Sequence, residues 1–273
     1  MCTTLAPLCT IVHMTLDADA LPAAGPASAT VRRARIVVPL GLDLAARADA
    51  QDEANRRSSQ SITESLASVD RAAVVGATDW CTHPADLDVV RVRGTKNPDL
   101  AAIRALAPDL VVANQEENRE LDVRRLRESG VPVWVTRTES VPESLASLRR
   151  LLTTSLGWDV PDWLAEAETL WARPGALRGR VGVAIWRDPW MAVGRDTFTG
   201  DLVSRLGLTH VLADHEGRYP QVDVASLADP SRFDLVLLPD EPYVFTAYDG
   251  PEAFTRVPTL LVSGRDLTWY GPS

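Results

Sequence analysis

Residues 76–118 read GATDWCTHPADLDVVRVRGTKNPDLAAIRALAPDLVVANQEEN. Two apolar strand cores frame the stretch, Ala73–Gly76 and Asp109–Ala113. Each runs into a polar loop. The first loop offers Asp79, Trp80, Cys81 and His83, and the second offers Asn114, Glu116, Glu117 and Asn118. Ligands of open α/β sheets collect beyond the carboxyl ends of the strands, so this stretch reads as one wall of a binding cleft. Between the cores, Asn97 is placed to cap a helix whose first turn holds Pro98 and Asp99. Leu100, Ile103 and Leu106 recur at helical spacing. A helix from about Glu117 to Gly130 and a strand over 131–135 complete the unit.

Upstream, residues 1–31 are a loose Ala-, Pro- and Asp-rich lead-in. A short strand follows at Arg35–Pro39 and a helix at Ser61–Ser68. Between them, 41–59 is polar and charged on all sides, the pattern of a solvated helix or excursion. Downstream, Ser140 and Glu143 fit a capping box opening a helix with a Leu145, Leu148, Leu152, Leu156 stripe. Gly157–Pro161 interrupts that stripe. A second one then carries Trp163, Leu164, Ala167, Leu170 and Trp171, where both indoles are expected to pack in the core. Strands are expected again at 181–186, 211–213, 234–238 and 258–262, with Asp196 capping a helix that ends near Gly207. The alternation defines an α/β chain with mainly parallel sheets. Its expected parts are an N-terminal lobe over 32–139, a helical link over 140–173 and a C-terminal lobe over 174–273.

Composition narrows the function. The chain has 273 residues, is 45% apolar and carries a net charge of −9. That charge argues against a general nucleic-acid binder, which needs a basic face. Three cysteines make no disulfide framework. No Lys or Arg precedes Arg32, and the Leu5–Met14 run is broken by Pro7, Thr10 and His13. A secretory signal needs both a basic start and an unbroken apolar run. The expectation is therefore a cytoplasmic protein, or an extracytoplasmic one if its start lies elsewhere. No segment approaches the ~20 apolar residues of a membrane span.

In the second half, strand 181–186 runs into Trp186, Arg187 and Trp190. Strand 234–238 runs into Glu241 and Tyr243, and strand 258–262 is soon followed by Trp269. Each ring alone is as readily a loop-packing residue as a ligand contact. Their recurrence at strand ends favours a cleft. Asp79, Cys81 and His83 alternate, so on an extended segment they share a side and form a set that zinc accepts. Pro84 and the lack of a second close pair weigh against a dedicated metal site. Neither G-x-S-x-G nor H-E-x-x-H occurs, so no enzyme is expected.

The segments DWCTHP, RVRGTKNPDL, LAPDLVVAN and EEN within 78–118 carry a further signal. So do VPVWVT at 131–136, DTFTGDLVSRLGLTHVLAD at 196–214, RYPQV at 218–222 and FDLVLLPDEPYVF at 233–245. Together they resemble the cobalamin- and ferric-siderophore-type substrate-binding proteins of ABC importers. The resemblance implies two Rossmann-like lobes joined by a helical backbone, with a ligand cleft between them. It implies a bound corrinoid, haem-like ring or ferric siderophore, no intrinsic cofactor, an ABC permease as partner, and a monomer. The expected ligand-binding set, drawn from the strand ends and their loops, is Trp80, Cys81, His83, Lys96, Glu116, Trp186, Arg187, Trp190, Glu241, Tyr243 and Trp269. Within it, Lys96 and Arg187 would meet ligand carboxylates or phosphate. This chain departs from the family pattern at the 41–59 insertion, at the Gly157–Pro161 break and in ending soon after Tyr270. Four other readings stay open: an intracellular sensor of the same fold, a metal-dependent enzyme using Cys81 and His83, a degenerate paralogue, and a scaffold for a protein partner.

Overall fold

The computed structural model describes residues 34–38, 61–115, 118–269 and 271–272. The lead-in, the 41–59 insertion, Glu116 and Glu117 lie outside the described residues. The first half contains strands β1 (Ile36–Val38), β2 (Val74–Ala77), β3 (Val90–Arg91), β4 (Leu110–Asn114) and β5 (Val133–Thr136). Its helices are α1 (described over 61–70), α2 (Leu100–Ala105) and α3 (Glu120–Glu128). The strands form a parallel sheet in the order β3-β2-β1-β4-β5. The second half contains β6 (Gly179–Trp186), β7 (Met191–Ala192), β8 (Leu208–His210), β9 (Leu235–Pro239) and β10 (Thr259–Val262). Its helices are α6 (Phe198–Arg205), α7 (Val224–Leu227) and α8 (Gly264–Thr268). Here β10, β9 and β6 run parallel. The start of β6 pairs with β8 in parallel, and its end pairs with β7 antiparallel.

Most expected strands lie one or two residues from their observed positions, because backbone pairing rather than apolarity sets their limits. Asp109, expected inside β4, stays out of the ladder; its carboxylate accepts from the Arg35 backbone N–H at 2.8 Å. The expected strand at 211–213 lies earlier, at β8, because the chain turns where the Ala213 N–H donates to the His210 carbonyl. Helix starts moved for a similar reason. Asp99, not Asn97, caps α2. Asp196 has φ +53, outside the extended region an N-cap needs, so Thr197 accepts the Gly200 N–H instead.

The link is a helical hairpin. Helix α4 (Val141–Arg150) widens into a π turn at Leu151–Ser155, and the chain reverses through Gly157 at φ +68. It returns as α5 (Asp162–Trp171), held to α4 by a two-point Arg149–Glu168 pair. The expected interruption at Gly157–Pro161 is this reversal. The capping box is only partly realised. The Ser140 hydroxyl donates to Glu143 at 2.7 Å, while the Val141 N–H donates to Asp201 on α6, in the other lobe.

One apolar core runs through all three parts. It joins Ile36, Val38 and Trp134 of the first sheet to Leu148, Leu152, Leu164 and Trp171 of the hairpin. From there it reaches Val181, Val183 and Ile185 of the second sheet. Trp171 is buried and Trp163 packs partly buried against this core. Alternate residues of the same strands face outer cores: Val37 and Val111 in one lobe, Ala184 and Val236 in the other. Sheets covered on both faces explain why these strands read as continuous apolar runs.

Leu148 is buried at the junction of the two lobes and is part of this shared core. Leu148→Ala is expected to cost about 2–5 kcal/mol. It should shift one cooperative urea transition reported by both lobes. Separate transitions, with one unmoved, would contradict a shared core.

Candidate ligand-binding cleft

Each sheet contains a point where strand order reverses. In the first, the chain builds β1, β2 and β3 outward, then crosses back to β4 beside β1. In the second, it builds outward from β6 on one side and then places β9 on the other. A crevice opens at the carboxyl end of such a reversal. The residues there are Val38 and Asn114 in one lobe, and Trp186, Asp240 and Glu241 in the other.

The lobes are joined on both flanks of these points. Beyond β5, the Glu139 carboxylate accepts from Arg218 of the second lobe at 2.8 Å, and also from Arg137. Arg218 further donates to the Thr138 carbonyl. On the opposite flank, Arg265 after β10 donates to Glu64 on α1 at 3.0 Å. The Arg265 guanidinium lies 4.4 Å from the Trp269 ring centre, and Trp269 meets His83 of the first lobe edge-on at 5.2 Å. These two clasps bracket the central strand ends.

The first wall is organised from beneath. Arg91 donates to the carbonyls of Thr78, Cys81 and Leu87, which fixes the loop carrying Trp80. Asn118 accepts the Asn114 N–H at 2.8 Å, and Arg119 has extended backbone, so α3 starts at Glu120. Trp80, His83 and Lys96 are half-buried at this wall, and Lys96 is engaged within the protein. Cys81 corrects the expectation. The loop turns at Thr78–Cys81, the thiol has no exposed surface, and the Thr63 and Thr78 hydroxyls contact its sulfur at 3.2 Å. Asp79 is exposed, so Asp79, Cys81 and His83 do not share a side. Among the described residues, no three His, Cys, Asp or Glu side chains are grouped to hold a metal ion.

The second wall is built by the loop after β9. The ring of Trp186 meets Tyr243 edge-on at 5.5 Å, and the Tyr243 hydroxyl donates to Asp249 at 2.6 Å. Both rings are half-buried. Arg187 is held between two carboxylates, its Nη1 donating to both Asp249 and Glu252. Its pairing with Glu252 holds that carboxyl below its ordinary range; the Tyr243 hydroxyl and then Arg187 do the same for Asp249. Trp190 is stacked on Phe245 and edge-on to Phe254, within the outer core. Glu241 is half-buried against the tight approach of Gly264. Trp269 is 2% exposed and serves the clasp rather than a ligand surface. Sequence reasoning missed both clasps, since nothing local pairs Glu139 with Arg218 or Glu64 with Arg265.

A separate groove of about 710 Å³ lies at the amino-terminal end of the first sheet, lined by Arg35, Arg71, Asp86 and Val90. Arg71 pairs with Asp86 there, and Arg35 donates to the Leu106 carbonyl. It is remote from the strand carboxyl ends and is not the cleft.

No protein-family model and no curated protein sequence matches the chain. Solved structures do. The periplasmic heme-binding protein RhuT from Roseiflexus sp. RS-1 superposes with TM-score 0.61 at 17% identity, covering 88% of this chain and 93% of that one. The periplasmic vitamin B12 binding protein BtuF of Vibrio cholerae gives 0.60 at 16% identity, with 88% and 92% covered. A possible iron-binding periplasmic solute-binding protein from Staphylococcus epidermidis ATCC 12228 gives 0.66 at 16% identity, with 88% and 94% covered. The fold is therefore that of periplasmic solute-binding proteins, as the sequence resemblance implied. The cytoplasmic location expected from the N-terminal residues is corrected by this likeness, which points to an extracytoplasmic one.

Two histidines give the structure a pH dependence. His83 is held below its ordinary 6.5 by burial and then by the Arg265 charge, with Glu64 opposing. Burial also lowers His210, whose Nε2–H donates to the Val193 carbonyl at 3.0 Å. A lowered folded-state value means the unfolded chain binds protons first as pH falls. Their contribution should be complete above about pH 6.5 and decline as pH falls toward the folded-state values. Urea midpoints measured from pH 8 to pH 5 should show this fall, and it should be shallower in His210→Asn.

Proposed function

We propose that the chain is the extracytoplasmic receptor of an ABC importer, which captures a metal chelate between its lobes and hands it to a permease. The proposed lobes span about 32–139 and 174–273, joined by 140–173, and the protein acts as a monomer. The ligand is a transported corrinoid, haem-like ring or iron chelate rather than a cofactor. The observation that carries this reading is the pair of strand-order reversals bracketed by two interlobe clasps. At them stand the half-buried rings of Trp80, Trp186 and Tyr243. The fold shared with heme-, vitamin B12- and iron-binding proteins supports the ligand class.

The chemistry is capture and release. Apolar ring faces cover a flat macrocycle or the shell of a chelate, and lose little rotamer freedom in doing so. Micromolar affinity needs only about 8 kcal/mol, within reach of a few buried rings. The continuous core through the hairpin favours small adjustments of the lobes over wide hinge closure. A metal-dependent enzyme using Cys81 and His83 is not favoured, because Cys81 is buried.

Titration with cobalamin, haemin and ferric siderophores, followed by tryptophan fluorescence, is expected to show saturable quenching by at least one of them. Trp186→Ala should weaken that binding by about ten-fold, a loss of roughly 1.4 kcal/mol. No quenching by any of these ligands would remove the proposal.

A further inference from the structure

The wall formed by the second lobe carries its own chemical signature. Around the ends of β6 and β9 stand one guanidinium, Arg187, and five carboxylates: Asp188, Asp240, Glu241, Asp249 and Glu252. The guanidinium bridges two of those carboxylates through Nη1, with Asp188 a further 3.6 Å contact. A ligand approaching this wall therefore meets net negative charge, five carboxylates against one guanidinium.

The same network presents an apolar lip. Thr246 and Asp249 exchange backbone hydrogen bonds across a tight turn, whose tip is Ala247 and Tyr248. Asp249 is fixed by Tyr243 and Arg187 together, so the turn is anchored at the cleft wall. Tyr248 is 95% exposed and Val244, on the same loop, 60% exposed. A large ring left so bare, on a turn held by an ion-pair network, is suited to close over a bound molecule.

We propose that the cleft selects a chelate of positive or zero net charge, with Tyr248 and Val244 contacting its apolar surface and Arg187 acting as a positioning residue that holds the turn. This rests on the receptor reading above and names the ligand class within it. Polyanionic chelates are disfavoured because they face a wall on which carboxylates outnumber the one guanidinium five to one.

The test compares two ferric probes of similar size in tryptophan-quenching titrations: a monocationic trihydroxamate bearing a free ammonium, and a trianionic tricatecholate. The cationic probe is expected to bind about ten-fold tighter or more at low salt, with the gap narrowing as salt screens the wall. Asp188→Asn, at a side chain 85% exposed, should narrow the gap without moving the urea midpoint. Tyr248→Ala should weaken the bound probe about five-fold with unchanged stability, as expected for an exposed aromatic contact. Equal or tighter binding of the tricatecholate would overturn the charge selection while leaving the receptor reading intact. An unchanged affinity in Tyr248→Ala would overturn the lip. Failure of both probes, together with cobalamin and haemin, would remove the receptor reading and this inference with it.

Discussion

The structure depends on burial of one continuous apolar seam through the linking hairpin. Leu148, Leu152, Leu164 and Trp171 are shared between the inner faces of both sheets. Burying side chains of this size is worth about 1.5–3 kcal/mol each, so the seam outweighs any single surface pair. Neither sheet can expose its inner face without uncovering the hairpin. The hairpin, in turn, needs the π turn and Gly157 to fold back and fill the space. The relative placement of the lobes follows from packing and is only trimmed by the clasps.

That placement is what the proposed site depends on. Each sheet alone offers a shallow crevice where strand order reverses. In the proposed receptor the two crevices form one site, with Asn114 and Trp80 contributed by one lobe and Trp186 and Tyr243 by the other. The flanking pairs, Glu139–Arg218 and Glu64–Arg265, are partly exposed and contribute modestly to stability. They tie the two lobes together on either side of the strand-order reversals.

Much of this was legible in the sequence because it rests on local pattern. Apolar runs located most strands to within one or two residues, and helical spacing correctly put Trp171 inside. Gly157–Pro161 marked the hairpin reversal. What sequence could not give was partnership across distance. Arg187 read as a ligand-binding cation because its neighbours in the chain do not reveal Asp249 and Glu252, more than sixty residues on. Cys81 read as a ligand because alternation assumes an extended segment, whereas Arg91 pulls the loop into a turn. Trp269 read as a cleft ring because its burial depends on His83 and Arg265. Tyr248 was passed over since nothing in TAYDG distinguishes a packed ring from a bare one.

The start of the linking hairpin has one more implication. Its first amide, at Val141, is satisfied not by its own capping serine but by Asp201 from the far lobe. The link is thus completed by one of the bodies it connects. Tilting that body away would break the bond and leave the amide to water, so amide exchange at one backbone nitrogen reads the posture of the two lobes.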